Sequence, residues 1–339
     1  MNTYIRLVSV TLGALLMIGL LMDSASISQI LGVRQGSYRL RLHVIPLTDA
    51  SYPNGRPGKH QQYSITPQEF ANLIKQVNLV YAGANIEFVF DPKSDWVPMA
   101  NTTLNSDAPG MLELGNKIAA EFPTKMVCFL RWGSGEEPTG NGNAYPPPRP
   151  GIPAPLDIGD VVQNYVALPN NIGGLSQNSG FLSHEFGHYL GLYHTFPGWD
   201  GFYGGSREQT IANADQSVIN YIVAHGGKAD ALNGDGLSDT PSDPGPVIYD
   251  VHKQNICNDQ QITIQGNIGG KPNIEGGGFI GGKSVSFTFS PDPNNVMGYF
   301  GVCPPSLPHF SAEQIKRMAD TLHTSRSGIL PKSLLTDRN

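Results

Sequence analysis

The stretch His184-Glu185-Phe186-Gly187-His188-Tyr189-Leu190-Gly191-Leu192-Tyr193-His194 restricts this chain more than any other feature. At 3.6 residues per turn, His184 and His188 fall on one helix face, so both imidazoles can reach a single ion. Phe181, Leu182, Phe186 and Leu190 can pack the same helix into a core. A continued helix would carry His194 to the wrong side and too far along. Gly191 solves this, because glycine can take a positive φ, end the helix and turn the chain so that His194 returns. Three neutral imidazoles with one open position describe a catalytic zinc site, since a structural site would be closed by a fourth protein ligand. Glu185 follows the first ligand directly, which lets its carboxylate reach a water at the ion without occupying a ligand position.

The chain has 339 residues, 39% hydrophobic and 15% charged, enough for one large domain or two lobes with an ample core. Gly (40) and Pro (27) make up about a fifth of it, which means long loops pinned at many points. Net charge is −6 with no basic run, which argues against a nucleic-acid partner. Arg6, the apolar run from Leu7 to Met22 and Asp23-Ser24-Ala25-Ser26 describe a secretory signal peptide over residues 1–26. A secreted, extracellular protein is expected, with no stable membrane association after cleavage. Cys128 alternates with Val127 and Phe129 in an apolar run and reads as core, leaving Cys257 and Cys303 as the expected disulfide of an exported chain.

Tyr38, Leu40, Leu42 and Val44 alternate with polar residues as a strand does. Thr66-Pro67-Gln68-Glu69 opens a helix whose apolar face is Phe70, Leu73, Ile74, Val77 and Tyr81, with Gly83 as its stop. A strand at Ile86–Phe90, a helix near Met111–Phe122, a strand at Met126–Leu130 and a short strand at Tyr165–Leu168 follow. This order implies a mixed sheet with helices on it. The prolines from Pro146 to Pro155 mark an extended surface loop. The segment from Asp200 to Leu232 reads either as a surface insertion or as a shaper of the cleft, with an extra helix around Val218–Val223. Ser311-Ala312-Glu313-Gln314 starts a last helix that turns Ile315, Met318 and Leu322 inward.

Two further patterns need weighing. Gly277-Gly278-Phe279-Ile280-Gly281-Gly282-Lys283-Ser284 matches a phosphate-binding loop letter for letter, yet the residues after it alternate like a strand where that chemistry needs a helix. Nucleotide binding is rejected on that context. Asn233, Asp235, Asp239 and Asp243 are hard oxygen ligands in a Gly-rich loop, which raises structural calcium as a second ion. Capped turns explain the same residues equally well.

Asn294-Asn295-Val296-Met297-Gly298-Tyr299 supplies a Met-turn downstream of the histidine motif, the combination found in metzincin metallopeptidases. With His194-Thr195-Phe196, Asp235-Gly236 before Asp239-Thr240-Pro241, Cys303 and Phe310-Ser311-Ala312-Glu313-Gln314, the chain resembles the pappalysin family of metzincins. The resemblance implies an α+β catalytic domain over residues 27–339. Its upper lobe (about 37–191) would hold a twisted mixed sheet and the zinc helix, and its lower, irregular lobe (about 192–330) the C-terminal helix. It also implies that Met297 forms an apolar floor under the zinc and that Tyr299 faces the metal. Pro197-Gly198-Trp199 departs from the family, which often carries a cysteine there.

The expected function is a monomeric, secreted zinc endopeptidase acting on protein or peptide substrates. His184, His188 and His194 would hold the ion, Glu185 would serve as general base, and Tyr299 would donate to the oxyanion. The rival from another class is a non-catalytic, zinc-stabilised extracellular binding or adhesion module on the same fold.

Overall fold

The structure, a computed structural model, describes residues 38–49, 65–106, 110–131, 144–147, 162–169, 179–197, 214–269, 271–272, 279–280, 282–298, 303 and 308–330. The expected signal peptide, Tyr299 and most of the proline-rich loop lie outside the described residues.

Strands β1 (Tyr38–Thr48), β2 (Ile86–Val89), β3 (Met99–Ala100), β4 (Met126–Arg131) and β5 (Tyr165–Pro169) form one sheet. Its order is β2-β1-β4-β5, with β3 pairing the far half of β1. Every described pair is parallel, with Leu42 opposite Met126 and Cys128 opposite Val166. The expected mixed sheet therefore has no antiparallel member among the described residues. Parallel strands are covered on both faces and read as continuous apolar runs, and β4 and β5 are buried along their whole length. Leu40, Leu42, Met126, Leu130 and Val166 line one face; Ile45, Leu47, Val127, Phe129 and Ala167 line the other.

Helix α1 (Pro67–Tyr81) covers the first face with the five apolar residues that its spacing predicts. Thr66 and Glu69 close a capping box at its start. Its end differs from expectation. Gly83 sits in a single 3-10 turn and the left-handed residue is Asn85, at φ 55. Asparagine tolerates that region because its short polar side chain can bond locally. Helix α2 (Met111–Ala119) covers the opposite face. Helix α3 (Ser179–Tyr189) carries His184 and His188 and is joined to α1 where Tyr81 Oη donates to the Ser183 carbonyl at 2.7 Å.

A second core forms around an antiparallel hairpin, β6 (Ile262–Ile268) with β7 (Lys283–Phe289). Helix α4 (Ala214–Ala224) packs Val218, Ile219 and Ile222 there, beside Ile248 and Tyr249 of α5 (Pro246–His252). The helical part of the segment that could have been a surface insertion is thus core. Gln216 fixes it to the strand edge, donating to Asn267 O and accepting from Asn267 N. Lys283 and Ser284 begin a strand, as the rejection of the phosphate loop required. Cys257 and Cys303 are disulfide-bonded, and Cys128 is a buried free thiol.

Helix α6 (Ala312–His323) starts with a Ser311–Gln314 capping box. Met318 and Leu322 join the sheet's core together with Val296, Met297 and Phe310. The last helix therefore completes the core that the first half of the chain begins.

Candidate metal centre

Helix α3 is buried on most sides: Leu182, Phe186 and Leu190 are fully enclosed. Its end is built as a glycine-terminated cap. Gly191 N donates to His188 O and Leu192 N donates to Gly187 O, with Gly191 at φ 90. This is the Schellman arrangement, in which a left-handed residue reverses the chain and satisfies the last carbonyls. Arg326 closes the same end by donating to Tyr189 O.

The reversal brings the three histidines together. His188 Nε2 lies 3.0 Å from His194 Nε2, which lies 3.2 Å from His184 Nε2. Tetrahedral zinc with nitrogen ligands at ~2.0–2.1 Å separates them by about 3.3 Å. Among the described residues this is the one cluster of three or more potential His, Cys, Asp or Glu ligands. His184 Nδ1 lies 2.7 Å from Val296 O and His188 Nδ1 lies 2.8 Å from Leu192 O. Carbonyls only accept, so each Nδ1 carries the proton and each Nε2 presents its lone pair inward. The cap around Gly191 thus sets the second imidazole as well as returning the third.

Burial holds these rings neutral. Desolvation lowers His184 to about 4 and His188 to about 3, and lowers His194 well below its ordinary value. Neutral imidazole is the form that binds a metal. His184 and His188 are buried, and His194 is partly exposed.

Glu185 is buried as well, and burial pushes its carboxyl up to about 8, opposed by a hydrogen bond from the Ala144 backbone and by the charge of Arg131. Its Oε2 is enclosed and has no hydrogen-bond partner. A buried carboxylate oxygen left unpaired costs about 1–3 kcal/mol, so the group suits a proton-transfer role better than a packing role. The residues present fit a metal: three convergent neutral donors, two of them with their tautomers fixed.

Met297 is fully buried, and its sulfur packs against Gly187, the residue just before His188. Around it the turn is tightly bonded: Asn295 Oδ1 accepts from Met297 N, Gly298 N donates to Asn295 O, and Thr195 N donates to Met297 O. Gln314, entirely buried, joins this turn to the rest. Its Oε1 accepts from Asn295 Nδ2 and its Nε2 donates to Asp235 Oδ2.

The four residues that raised calcium are each satisfied within the chain. Asn233 accepts from Gly236 N, Asp235 from Thr240 and Leu237 N, Asp239 from Ser311 and Glu313 N, and Asp243 from Thr195 and Gly245 N. Asp239 thereby caps the start of α6, where an anion meets free N–H groups. Asn233 and Asp235 close local turns, whereas Asp239 and Asp243 tie distant segments together.

Sequence reasoning missed the buried roles of Gln314 and of Arg317, whose Nη1 donates to Asp235 O, and took Asp243 only as a candidate calcium ligand. Gln314 showed only its capping role, although Gln314, Arg317 and Thr321 share the inward face of α6 with Met318. Polar residues recurring on a core-facing stripe were the available signal.

No protein-family description matches this sequence, and no curated protein is detectably similar to it. Among solved structures, the chain is similar to mature mirolysin of Tannerella forsythia in complex with a cleaved peptide, at 14% identity and a TM-score of 0.44, over 90% of this chain and 100% of that one. It is also similar to metalloproteinase-II of Bacteroides fragilis, at 13% identity and a TM-score of 0.26, over 47% of this chain and 44% of that one.

Proposed function

We infer that the chain is a secreted zinc endopeptidase of the metzincin type, similar to pappalysins, with His184, His188 and His194 as metal ligands. The observation that carries this reading is the convergence of the three Nε2 atoms on one point; Glu185, next in sequence to the first of them, adds a buried carboxyl whose Oε2 has no partner. When bound, zinc supplies Lewis acidity that brings the pKa of water towards ~7 and polarises a carbonyl.

The chain's own residues do the rest. Glu185 takes a proton from the attacking water and passes it to the leaving amine, which needs a carboxylate at the start of the cycle. A cation held by the three imidazoles would favour that carboxylate form against the desolvation that otherwise raises it. His184 and His188, fixed through their Nδ1 atoms, hold their lone pairs in place without reorganisation. Met297 fills the space beneath α3 and excludes water from that side. Tyr299, which lies outside the described residues, would donate to the tetrahedral oxyanion.

The test is hydrolysis of an unfolded protein by the mature chain, with and without a chelator, alongside measurement of bound zinc. Chelator-sensitive cleavage at one zinc per chain is expected. Stoichiometric zinc without any cleavage would favour the non-catalytic binding module instead.

A further inference from the structure

His184 and His188 are held through their own Nδ1 atoms; the residues that follow the third histidine are tightly held as well. Thr195 is engaged on every polar atom. Its N donates to Met297 O (3.3 Å), its O accepts from Gly234 N (2.9 Å), and its hydroxyl donates to Asp243 Oδ2 (2.7 Å). Phe196 stacks on His194 with centroids 4.7 Å apart and planes within 4°. The Phe196 backbone runs so close to Gly234 that a Cβ there would lie 2.0 Å from Phe196 O. His194 is thus the leading end of a rigid, three-way joint.

Asp243 anchors that joint and is costly to bury. It is 1% exposed, and its second oxygen accepts from Gly245 N at 2.8 Å. Burial pushes its carboxyl up to about 6, and Asp235 raises it further against the two hydrogen bonds. No Lys or Arg among the described residues is ion-paired with it. A buried carboxylate without a cation is destabilising unless something else offsets the charge. An acceptor for Thr195 alone would not need to be ionisable.

We propose that Asp243, acting through Thr195, is a positioning residue for His194 and for the cation at the triad. It fixes the third imidazole against the other two, and its buried negative charge is offset by a divalent ion held there. This rests on reading the triad as a metal site. In metalloproteins such outer partners are worth about 10–100-fold in metal affinity.

The experiment measures zinc affinity directly, by competition between chelator-stripped protein and a chromophoric chelator, and needs no peptidase assay. Asp243→Asn keeps the shape and removes the charge; Thr195→Val removes the hydroxyl at equal volume; Thr195→Ser restores it. Both Asp243→Asn and Thr195→Val should weaken zinc binding by about 10–100-fold, and Thr195→Ser should stay near wild type. Wild-type zinc affinity in both Asp243→Asn and Thr195→Val would overturn the assignment while leaving the metal site intact. A wild-type chain that binds no zinc would overturn the metal reading itself. Should Asp243→Asn not fold, the contrast between Thr195→Val and Thr195→Ser decides the matter alone.

Discussion

The sulfur of Met297 lies 2.5 Å from the point that a Cβ on Gly187 would occupy. Glycine inside a helix costs about 0.5–1 kcal/mol relative to alanine. At this position the close approach of the floor residue explains why the cost is accepted.

Gly187→Ala should therefore destabilise the protein, against its helix propensity. Overpacking of this kind costs about 1–3 kcal/mol, and the displaced sulfur should also disturb the spacing of His184 and His188. Thermal melting and zinc competition check both effects. An alanine variant that melts higher than wild type would mean that Met297 swings aside freely.

Gly191→Ala should be worse. The residue needs φ 90, and its Cβ would lie 2.2 Å from Thr321 Oγ1 on α6. Left-handed backbone costs a non-glycine residue about 1–2 kcal/mol before any clash is counted. Loss of zinc together with a lower melting midpoint is the expected pair of results. Gly191→Ala with Thr321→Ala should recover only the part due to the clash.

Glu185→Ala should keep fold and zinc yet reduce turnover by about 10²–10⁴-fold, as removal of a general base does. Because the variant deletes a buried carboxyl whose Oε2 is unpartnered, the metal-free protein should melt no lower than wild type. Retained turnover, or loss of zinc, would remove Glu185 from the role of base.

The metal-free protein should lose stability as pH falls from ~6.5. An unperturbed histidine titrates at ~6.5, and burial lowers His184 to about 4 and His188 to about 3. Above 6.5 both rings are neutral in the folded and unfolded chain, so their contribution is fully present. Below it the unfolded chain takes up protons that the folded one refuses, and stability drops until pH reaches the folded values. Melting curves of chelator-stripped protein from pH 7.5 to 4.5 test this. Glu185 and Asp243, raised to about 8 and about 6, work in the opposite sense over this window, so the comparison is repeated in Glu185→Gln; a midpoint still independent of pH there would show that the triad is hydrated in solution.

Replacing Cys257 and Cys303 by serine should destabilise the fold by about 4 kcal/mol in the chain-entropy model, given a sequence separation of 46. Cys303 N also donates to Asn294 Oδ1, so the loss should reach the Met-turn. Denaturant titration measures the stability. Non-reducing peptide mapping checks the pairing, which a Cys128 adduct of either residue would contradict.

Much of this centre was legible in the residues. His184, His188 and Gly191 announce themselves because helical periodicity and one permissive glycine leave a single way to unite the imidazoles. Thr66 and Ser311 announce helix starts because capping is local chemistry. What stayed hidden depends on contacts between distant segments. Nothing near Asp243 in sequence says that it accepts from Thr195, and nothing near Val296 says that its carbonyl orients His184. The Asn85 turn was misplaced to Gly83 because glycine is the commoner stop, while the strand that follows needed the reversal two residues later. The sheet's parallel character rests on pairings of β1 with β2, β3 and β4, which strand patterns alone do not specify.

The core around α3 closes only when Val296, Met297, Phe310, Met318 and Leu322 join it. These residues come late in the chain, whereas the imidazoles come near its middle. A chain emerging from a ribosome therefore displays its whole histidine motif well before it can organise that motif. Until residues 294–322 follow, His184 lacks its carbonyl, α3 lacks its floor, and the amide junction at Gln314 is absent. If the triad is the metal centre proposed above, that centre is completed only late in synthesis, and fragments truncated ahead of residue 294 would carry the complete histidine signature without its supports.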